Sequence, residues 1–151
     1  MSKPYYESPL CSRYSSKTMQ HLFSPDYRSQ IWRLLWIELA RAEHKLGLPI
    51  SKEQVEELEA HKEDIDYELI AAKEAELRHD VMAHIHAYGE LCPTARGIIH
   101  LGATSCYVTD NSDLIIYREA LLYLRKELLQ VMRNLAAFAD KYKDLPTLGY
   151  T

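Results

Sequence analysis

The sequence predicts an all-α fold. A helical domain is expected over residues 1–108, and the first long helix of a central helical bundle over residues 109–151. Apolar residues recur at three- and four-residue steps, and helix start and stop signals flank these periodic segments. Only 5 glycines and 6 prolines occur in 151 residues, and 47% of the chain is hydrophobic, which is typical of a folded globular protein.

The helical domain begins with a segment that has no apolar period. Residues 1–23 contain Pro4 and Pro9, and they predict an irregular arm that packs through its tyrosines. Ser24 is a good N-cap and is followed by Pro25, a residue favoured in the first helical turn. A helix is therefore predicted from this point to Gly47.

Two shorter helices follow. Ser51 and Gln54 form a capping-box pattern that opens the first, and Asp66 is placed to cap the second. The stretch LRHDVMAHIHAYG, residues 77–89, continues the second helical pattern, which allows a kink near Arg78.

The last helix is predicted to be much longer. From Thr109 the apolar positions alternate three- and four-residue steps: Leu114, Tyr117, Leu121, Leu124, Leu128, Val131, Leu135, Phe138 and Tyr142. The run spans about 32 residues, or about 48 Å at 1.5 Å per residue. The shorter helices cannot cover so long a face. We therefore expect the chain to be the N-terminal portion of a longer, oligomeric protein.

Composition excludes several classes of function. The formal net charge of -4 disfavours a general nucleic-acid binder. No segment reads as a signal peptide or a membrane span, so a cytoplasmic protein is expected. The three cysteines have neither metal-site nor disulfide spacing, which indicates reduced thiols.

The histidine-rich stretch does not predict a metal site. His79 and His86 lie about two helical turns, or about 10.5 Å, apart, which is too far to share one ion. A structural role is expected for His84 and His86. Arg78, His79 and Asp80 instead combine a bidentate anion donor, a group that titrates near neutral pH and a carboxylate, which suits an anionic ligand. A surface ion pair is the alternative.

Two further segments contain anion-binding groups. In HLGATSCYVTDN, residues 100–111, Gly102 permits a close backbone approach, and Thr104 and Ser105 precede the positive end of the long helix. Simple helix capping is the alternative here. SPLCSRYSS places Arg13 and Tyr14 in the arm.

Together, SPLCSRYSS, LRHDVMAHIHAYG and GIIHLGATSCYVTDNSDLI resemble the adenylosuccinate lyase family of the fumarase/aspartase superfamily, animal type. The resemblance extends along essentially the whole chain. It implies a β-elimination in purine biosynthesis that releases fumarate from adenylosuccinate, giving AMP, and from succinyl-carboxamide ribotide (SAICAR), giving AICAR. It also implies a homotetramer whose sites are shared between subunits, with no metal or organic cofactor.

The resemblance assigns substrate binding to Arg13, Tyr14, Arg78, His79, Asp80, His100, Thr104, Ser105 and Thr151. Arg13 is expected near the phosphate, and His79 is expected beside the succinyl group in a supporting catalytic role. The family's general-acid His would follow Thr151, and its general-base Ser would lie further on, so this portion alone is expected to be inactive. The alternatives are another superfamily lyase or cycloisomerase, and a truncated, non-catalytic oligomerisation module.

Overall fold

The computed structural model describes residues 8–149. Its elements are a π-helical turn at Leu10–Tyr14 and the helices α1 (Lys17–Leu22), α2 (Pro25–Lys45), α3 (Lys52–Ala60), α4 (Tyr67–Leu77), α5 (Asp80–Leu91) and α6 (Ser105–Tyr142). Within residues 8–149 there is no strand, so the all-α prediction is confirmed. None of the helices in this range is both long enough and apolar enough to cross a membrane.

The predicted helix starts are confirmed by their hydrogen bonds. The Ser24 hydroxyl accepts from the Tyr27 N–H at the start of α2, and Asp66 accepts from the Leu69 N–H at the start of α4. At α3 the Ser51 hydroxyl and the Gln54 side chain form both bonds of the capping box. Each cap satisfies backbone donors that the helix itself leaves unpaired.

The prediction of an irregular arm is wrong for the part of residues 1–23 that the structure describes. Ser16 accepts from the Met19 N–H and so caps α1, whose Leu22 is buried. Tyr14 is 69% exposed, so the arm does not pack through this tyrosine. A short helix forms here because its N-cap and its one buried leucine stabilise it. No apolar period in the sequence indicates this helix. Tyr5 and Tyr6 lie outside the described residues.

The start of the long helix also differs from the prediction. Helix α6 begins at Ser105, with Thr104 as its N-cap, so the polar run from Thr109 lies inside the helix and not at its end. The Thr109 hydroxyl donates to the Ser105 carbonyl one turn earlier. Ser112 is buried because its hydroxyl accepts from the Trp32 indole N–H at 3.0 Å. Polar residues are accommodated in the helix because their hydrogen bonds are made locally or to α2.

The hydrophobic core surrounds α2. Trp36 and Ile37 pack with residues from α3, α5 and the first turns of α6, and the most buried of these are Leu58, Val81, Tyr88 and Val108. One charged side chain, Arg33, is also buried. Its guanidinium lies 3.9 Å from the centroid of the Tyr88 ring, and its Nη1 donates to the His61 carbonyl at 2.6 Å. The cation is thus stabilised by a π-face and a backbone acceptor.

Most of α6 extends beyond this core. The helix has 38 residues, about 57 Å at 1.5 Å per residue, and its buried positions are Val108, Ser112, Ile116 and Ala120, all in its first half. Every residue of the predicted apolar seam, from Leu114 to Tyr142, is exposed. The prediction that the shorter helices cannot cover this face is therefore confirmed for the described residues.

Candidate functional site

The Arg78–His79–Asp80 triplet forms the corner between α4 and α5. Arg78 ends α4 in the left-handed conformation, with φ 52° and ψ 38°, and its N–H donates to the Glu74 carbonyl. His79 is extended, and Asp80 is the first residue of α5. The triplet therefore does not lie on one continuous helix, and the kink that the sequence allowed near Arg78 is a complete break. A left-handed non-glycine residue costs free energy, so this turn is held by its surroundings.

His79 caps helix α5 through one of its ring nitrogens. Its Nδ1 accepts a long hydrogen bond, 3.4 Å, from the Met82 N–H. The same Nδ1 lies 3.6 Å from the Asp80 carboxylate, with which it can form an ion pair only when protonated. A neutral His79 that caps the helix must carry its hydrogen on Nε2. This N–H is then a donor for a ligand at the exposed corner, where the His79 side chain is 46% exposed.

The surface ion pair considered for this triplet is only partly supported. Asp80 uses its Oδ1 to accept from the Val81 N–H at 2.7 Å. Within residues 8–149, Arg78 makes no ion pair, and its side chain is exposed. An exposed guanidinium at the positive end of α5 is suited to bind an anion.

The second part of the site is the HLGATS segment that leads into α6. His100 has φ 67° and Gly102 has φ 66°. Within residues 8–149, Arg78 and His100 are the two non-glycine residues with left-handed backbone, and both were singled out from the sequence as site residues. Backbone strain of this kind concentrates at functional sites.

Thr104 and Ser105 stand at the positive end of α6. Thr104 is the N-cap, but its hydroxyl makes no capping hydrogen bond, and it is exposed. The alternative that these residues only cap the helix is thus not supported for Thr104. Its hydroxyl and the first N–H groups of α6 form a donor set of the kind that binds a carboxylate or phosphate.

The start of the loop between α5 and α6 is fixed by α3. The Glu57 carboxylate accepts from the Thr94 hydroxyl at 2.5 Å and from the Ala95 N–H at 2.8 Å, and Gln54 donates to the Thr94 carbonyl. These bonds lower the pKa of the Glu57 carboxyl, with the Thr94 hydroxyl as the main cause. The start of the loop that contains the HLGATS segment is therefore held in a defined position against α3.

The two parts of the site lie near each other. Burial lowers the pKa of His100, and an electrostatic contribution from His79 acts in the same direction. The two imidazoles are therefore within electrostatic range. An electrostatic interaction thus links the corner and the HLGATS segment, which are about 20 residues apart in sequence.

His84, one of the two histidines that were expected to be structural, is half-buried. Its ring meets the Trp32 ring edge-on at 5.0 Å, and burial lowers its pKa to about 4. Within residues 8–149 there is no cluster of three or more histidine, cysteine or acidic side chains that could hold a metal ion. Cys11, Cys92 and Cys106 are free thiols.

Two residues near the site were not predicted from the sequence. The Trp36 indole N–H donates to His100 Nδ1 at 3.0 Å. Glu43 Oε1 lies 3.6 Å from where a Cβ on Gly102 would stand, and burial raises the pKa of this carboxyl. Trp36 reads in the sequence as an ordinary apolar residue of α2, and Glu43 as a solvated one. No sequence signal distinguishes them.

Comparison with known proteins identifies the family. No protein-family model matches the chain. The chain is 52% identical over 149 residues, 97% of its length, to a protein named adenylosuccinate lyase from Saccharomyces cerevisiae. The chain belongs to the adenylosuccinate lyase family. Relatives of the same name from Caenorhabditis briggsae and Pyrococcus abyssi are 44% and 32% identical over 97% and 95% of this chain. The chain is therefore more similar to these eukaryotic lyases than to the archaeal one.

The chain spans about 31% of the length of its yeast relative. Thr151, the residue expected just before the family's general-acid His, lies outside the described residues.

Arg13 and Tyr14, the remaining predicted binding residues, lie apart from the corner. Both belong to the π-helical turn, and the Arg13 guanidinium lies 5.5 Å from the centroid of the Tyr14 ring. Gln20 fixes this turn by donating to the Cys11 and Ser15 carbonyls. Among the contacts within residues 8–149, none joins Arg13 or Tyr14 to the corner. Their part in the same site remains a prediction.

Proposed function

We propose that the whole protein is an adenylosuccinate lyase that removes fumarate by β-elimination from adenylosuccinate, giving AMP, and from SAICAR, giving AICAR. The observation that carries the proposal is the 52% identity to the yeast adenylosuccinate lyase over 97% of the chain. The geometry of the corner and the HLGATS segment supports the same conclusion, because both present donors for anionic groups.

The donors suit a substrate with two carboxylates and a phosphate. In our proposal the exposed Arg78 guanidinium binds one anionic group, since it can donate two parallel hydrogen bonds to a carboxylate or phosphate. Thr104 and Ser105 bind a substrate carboxylate at the positive end of α6. Asp80 accepts from the Val81 N–H in the first turn of α5 and so helps to fix the corner that presents Arg78 and His79.

His79 is proposed to stabilise charge beside the succinyl group. Removal of the proton next to a carboxylate builds negative charge, and a fixed donor stabilises that charge in the transition state. The Nε2–H of a neutral, capping His79 is such a donor. His100 is proposed to supply a second N–H. We propose that the general acid and the general base come from sequence beyond residue 151, as the family resemblance implies.

The partners of the site are further copies of the same protein. The exposed apolar face of α6 supports a homotetramer in which long helices pack together, because so large an apolar surface is stabilised when it is covered. Such an assembly also offers a way for Arg13 and Tyr14 to reach the corner of another subunit, near the phosphate. The free thiols support a cytoplasmic location. We propose that the activity requires no metal or organic cofactor.

Substitution of His79 in the full-length product of the gene tests its role. His79→Asn keeps a side chain that caps helices well and removes the imidazole, so the fold is retained. We expect turnover of adenylosuccinate to fall about a hundredfold, as for the loss of a group that handles a proton or its charge. His86→Ala, on the same helix, is the matched control and keeps near-normal turnover.

Near-normal turnover by a folded His79→Asn tetramer contradicts the role of His79. If the unaltered full-length protein assembles through α6 but does not cleave adenylosuccinate, the lyase proposal itself is wrong. The exposed face of α6 then favours the non-catalytic oligomerisation module.

A further inference from the structure

We propose that Trp36 is a positioning residue for the substrate site: its indole N–H holds His100 in the tautomer that carries hydrogen on Nε2, so that His100 presents a fixed donor to a substrate anion. The donor role rests on the proposed lyase function. The hydrogen bond and the tautomer stand on the structure alone.

The chemistry of the bond leaves one neutral tautomer. The Trp36 Nε1–H donates to His100 Nδ1 at 3.0 Å, and the two rings meet edge-on, with planes at 88°. An indole N–H can only donate, so Nδ1 must be the acceptor. A neutral imidazole with Nδ1 as acceptor carries its single hydrogen on Nε2. The nitrogen opposite the tryptophan is thus always the donor.

The tryptophan is held firmly enough to enforce this choice. Trp36 is 1% exposed and packs between the rings of Trp32, 6.2 Å away, and Tyr88, 6.4 Å away. At this depth a rotated indole would leave its N–H without an acceptor, which is unfavourable. The donor is therefore fixed in direction as well as in place.

The backbone of His100 gives the bond a second role. His100 has φ 67°, a conformation that costs free energy for a residue with a side chain. It is half-buried and is followed after one residue by Gly102 in the same conformation. The Trp36 bond ties the strained residue to α2. This fixes both the ring and the turn that leads to Thr104.

A variant of a neighbouring residue on the same helix distinguishes whether Trp36 positions His100 or only packs in the core. Trp32, one turn before Trp36, is 4% exposed, and its indole N–H donates to the Ser112 hydroxyl, also at 3.0 Å. Trp32→Phe therefore removes an equivalent buried hydrogen bond whose acceptor is outside the site. It is the matched control for Trp36→Phe, and both variants keep an aromatic ring in the core.

The first test is nitrogen-15 NMR of the histidine rings in the 151-residue chain, which reads the tautomer without any activity. We expect His100 to be the Nε2–H tautomer in the unaltered chain and in Trp32→Phe, and a mixture of both neutral tautomers in Trp36→Phe. An Nδ1–H tautomer in the unaltered chain overturns the proposal even if neither variant folds. An unchanged tautomer in folded Trp36→Phe also overturns it.

The second test is kcat/KM for adenylosuccinate in the full-length protein. At metal sites, removing a hydrogen bond that fixes the tautomer of a ligand histidine lowers activity about 10- to 100-fold. We expect about a tenfold loss of kcat/KM here for Trp36→Phe. Trp32→Phe is expected to change kcat/KM less than twofold. Equal losses in both variants reveal a packing role and overturn positioning. If the unaltered protein cleaves no adenylosuccinate, the lyase proposal fails, while the NMR result still decides the tautomer.

Discussion

Burial of His84 predicts a specific loss of stability in mild acid. The His84 ring contacts the Trp32 ring edge-on. The positive charge of Arg33 disfavours a second positive charge on His84. Burial is the larger cause and Arg33 the second, while Asp80 acts in the opposite direction; together they lower the pKa from 6.5 to about 4. The folded protein thus stabilises neutral His84.

The sign and size follow from proton linkage. Between pH 6.5 and about 4 the unfolded chain binds a proton at this residue that the folded chain does not, so stability falls as the pH falls through this range. The difference in the pKa of His84 between the folded and the unfolded chain corresponds to about 3 kcal/mol of unfolding free energy, at about 1.4 kcal/mol per pKa unit. At pH 5 the loss is about 2 kcal/mol, and at pH 7 it is nearly zero.

Urea unfolding of the 151-residue chain at pH 7 and pH 5 measures this effect. Carboxylates also titrate toward acid, so the comparison is with His84→Gln, which keeps a polar side chain that does not titrate. We expect the unaltered chain to lose about 2 kcal/mol more than His84→Gln between the two pH values. Equal losses would contradict this prediction, as would a His84 titration by NMR with a midpoint near its ordinary pKa.

Three further predictions test the fold. In the 151-residue chain at low concentration, Ile37→Ala should cost about 2–5 kcal/mol of unfolding free energy, whereas Leu128→Ala should cost less than about 0.5 kcal/mol; equal costs would mean that α6 is covered. Gly102→Ala should destabilise by about 1–2 kcal/mol because of its left-handed backbone, whereas Gly97→Ala, which meets open space and has no such backbone, should not. Glu57→Gln should make stability fall less steeply in acid, since the stabilisation that goes with the lowered pKa of Glu57 is full above its ordinary pKa and is lost as the pH falls through the lowered one; an unchanged acid transition contradicts this.

The fold was largely predictable because its helices are marked locally. Ser24, Ser51 and Asp66 each form the cap that the sequence predicted, since a cap needs only neighbouring residues. The start of α6 was misplaced because Ser112 is tolerated inside the helix by a bond to Trp32, 80 residues away. The periodicity of apolar residues does not indicate so distant a hydrogen-bond partner.

The site was predictable to a lesser degree. The types of donor in the corner and in the HLGATS segment follow from sequence. The left-handed backbone at Arg78 and His100 does not, because neither residue is of a type that favours this conformation. The tautomer of His100 depends on Trp36, which contacts it only in the folded chain.

The most direct test of the central claim is absorbance-monitored cleavage of adenylosuccinate, run on the 151-residue chain and on the full-length product of the same gene. We expect cleavage by the full-length protein and none by the 151-residue chain, because we propose that this chain supplies binding groups while the general acid and base come from further sequence. A folded, assembled full-length protein that leaves adenylosuccinate intact would contradict it.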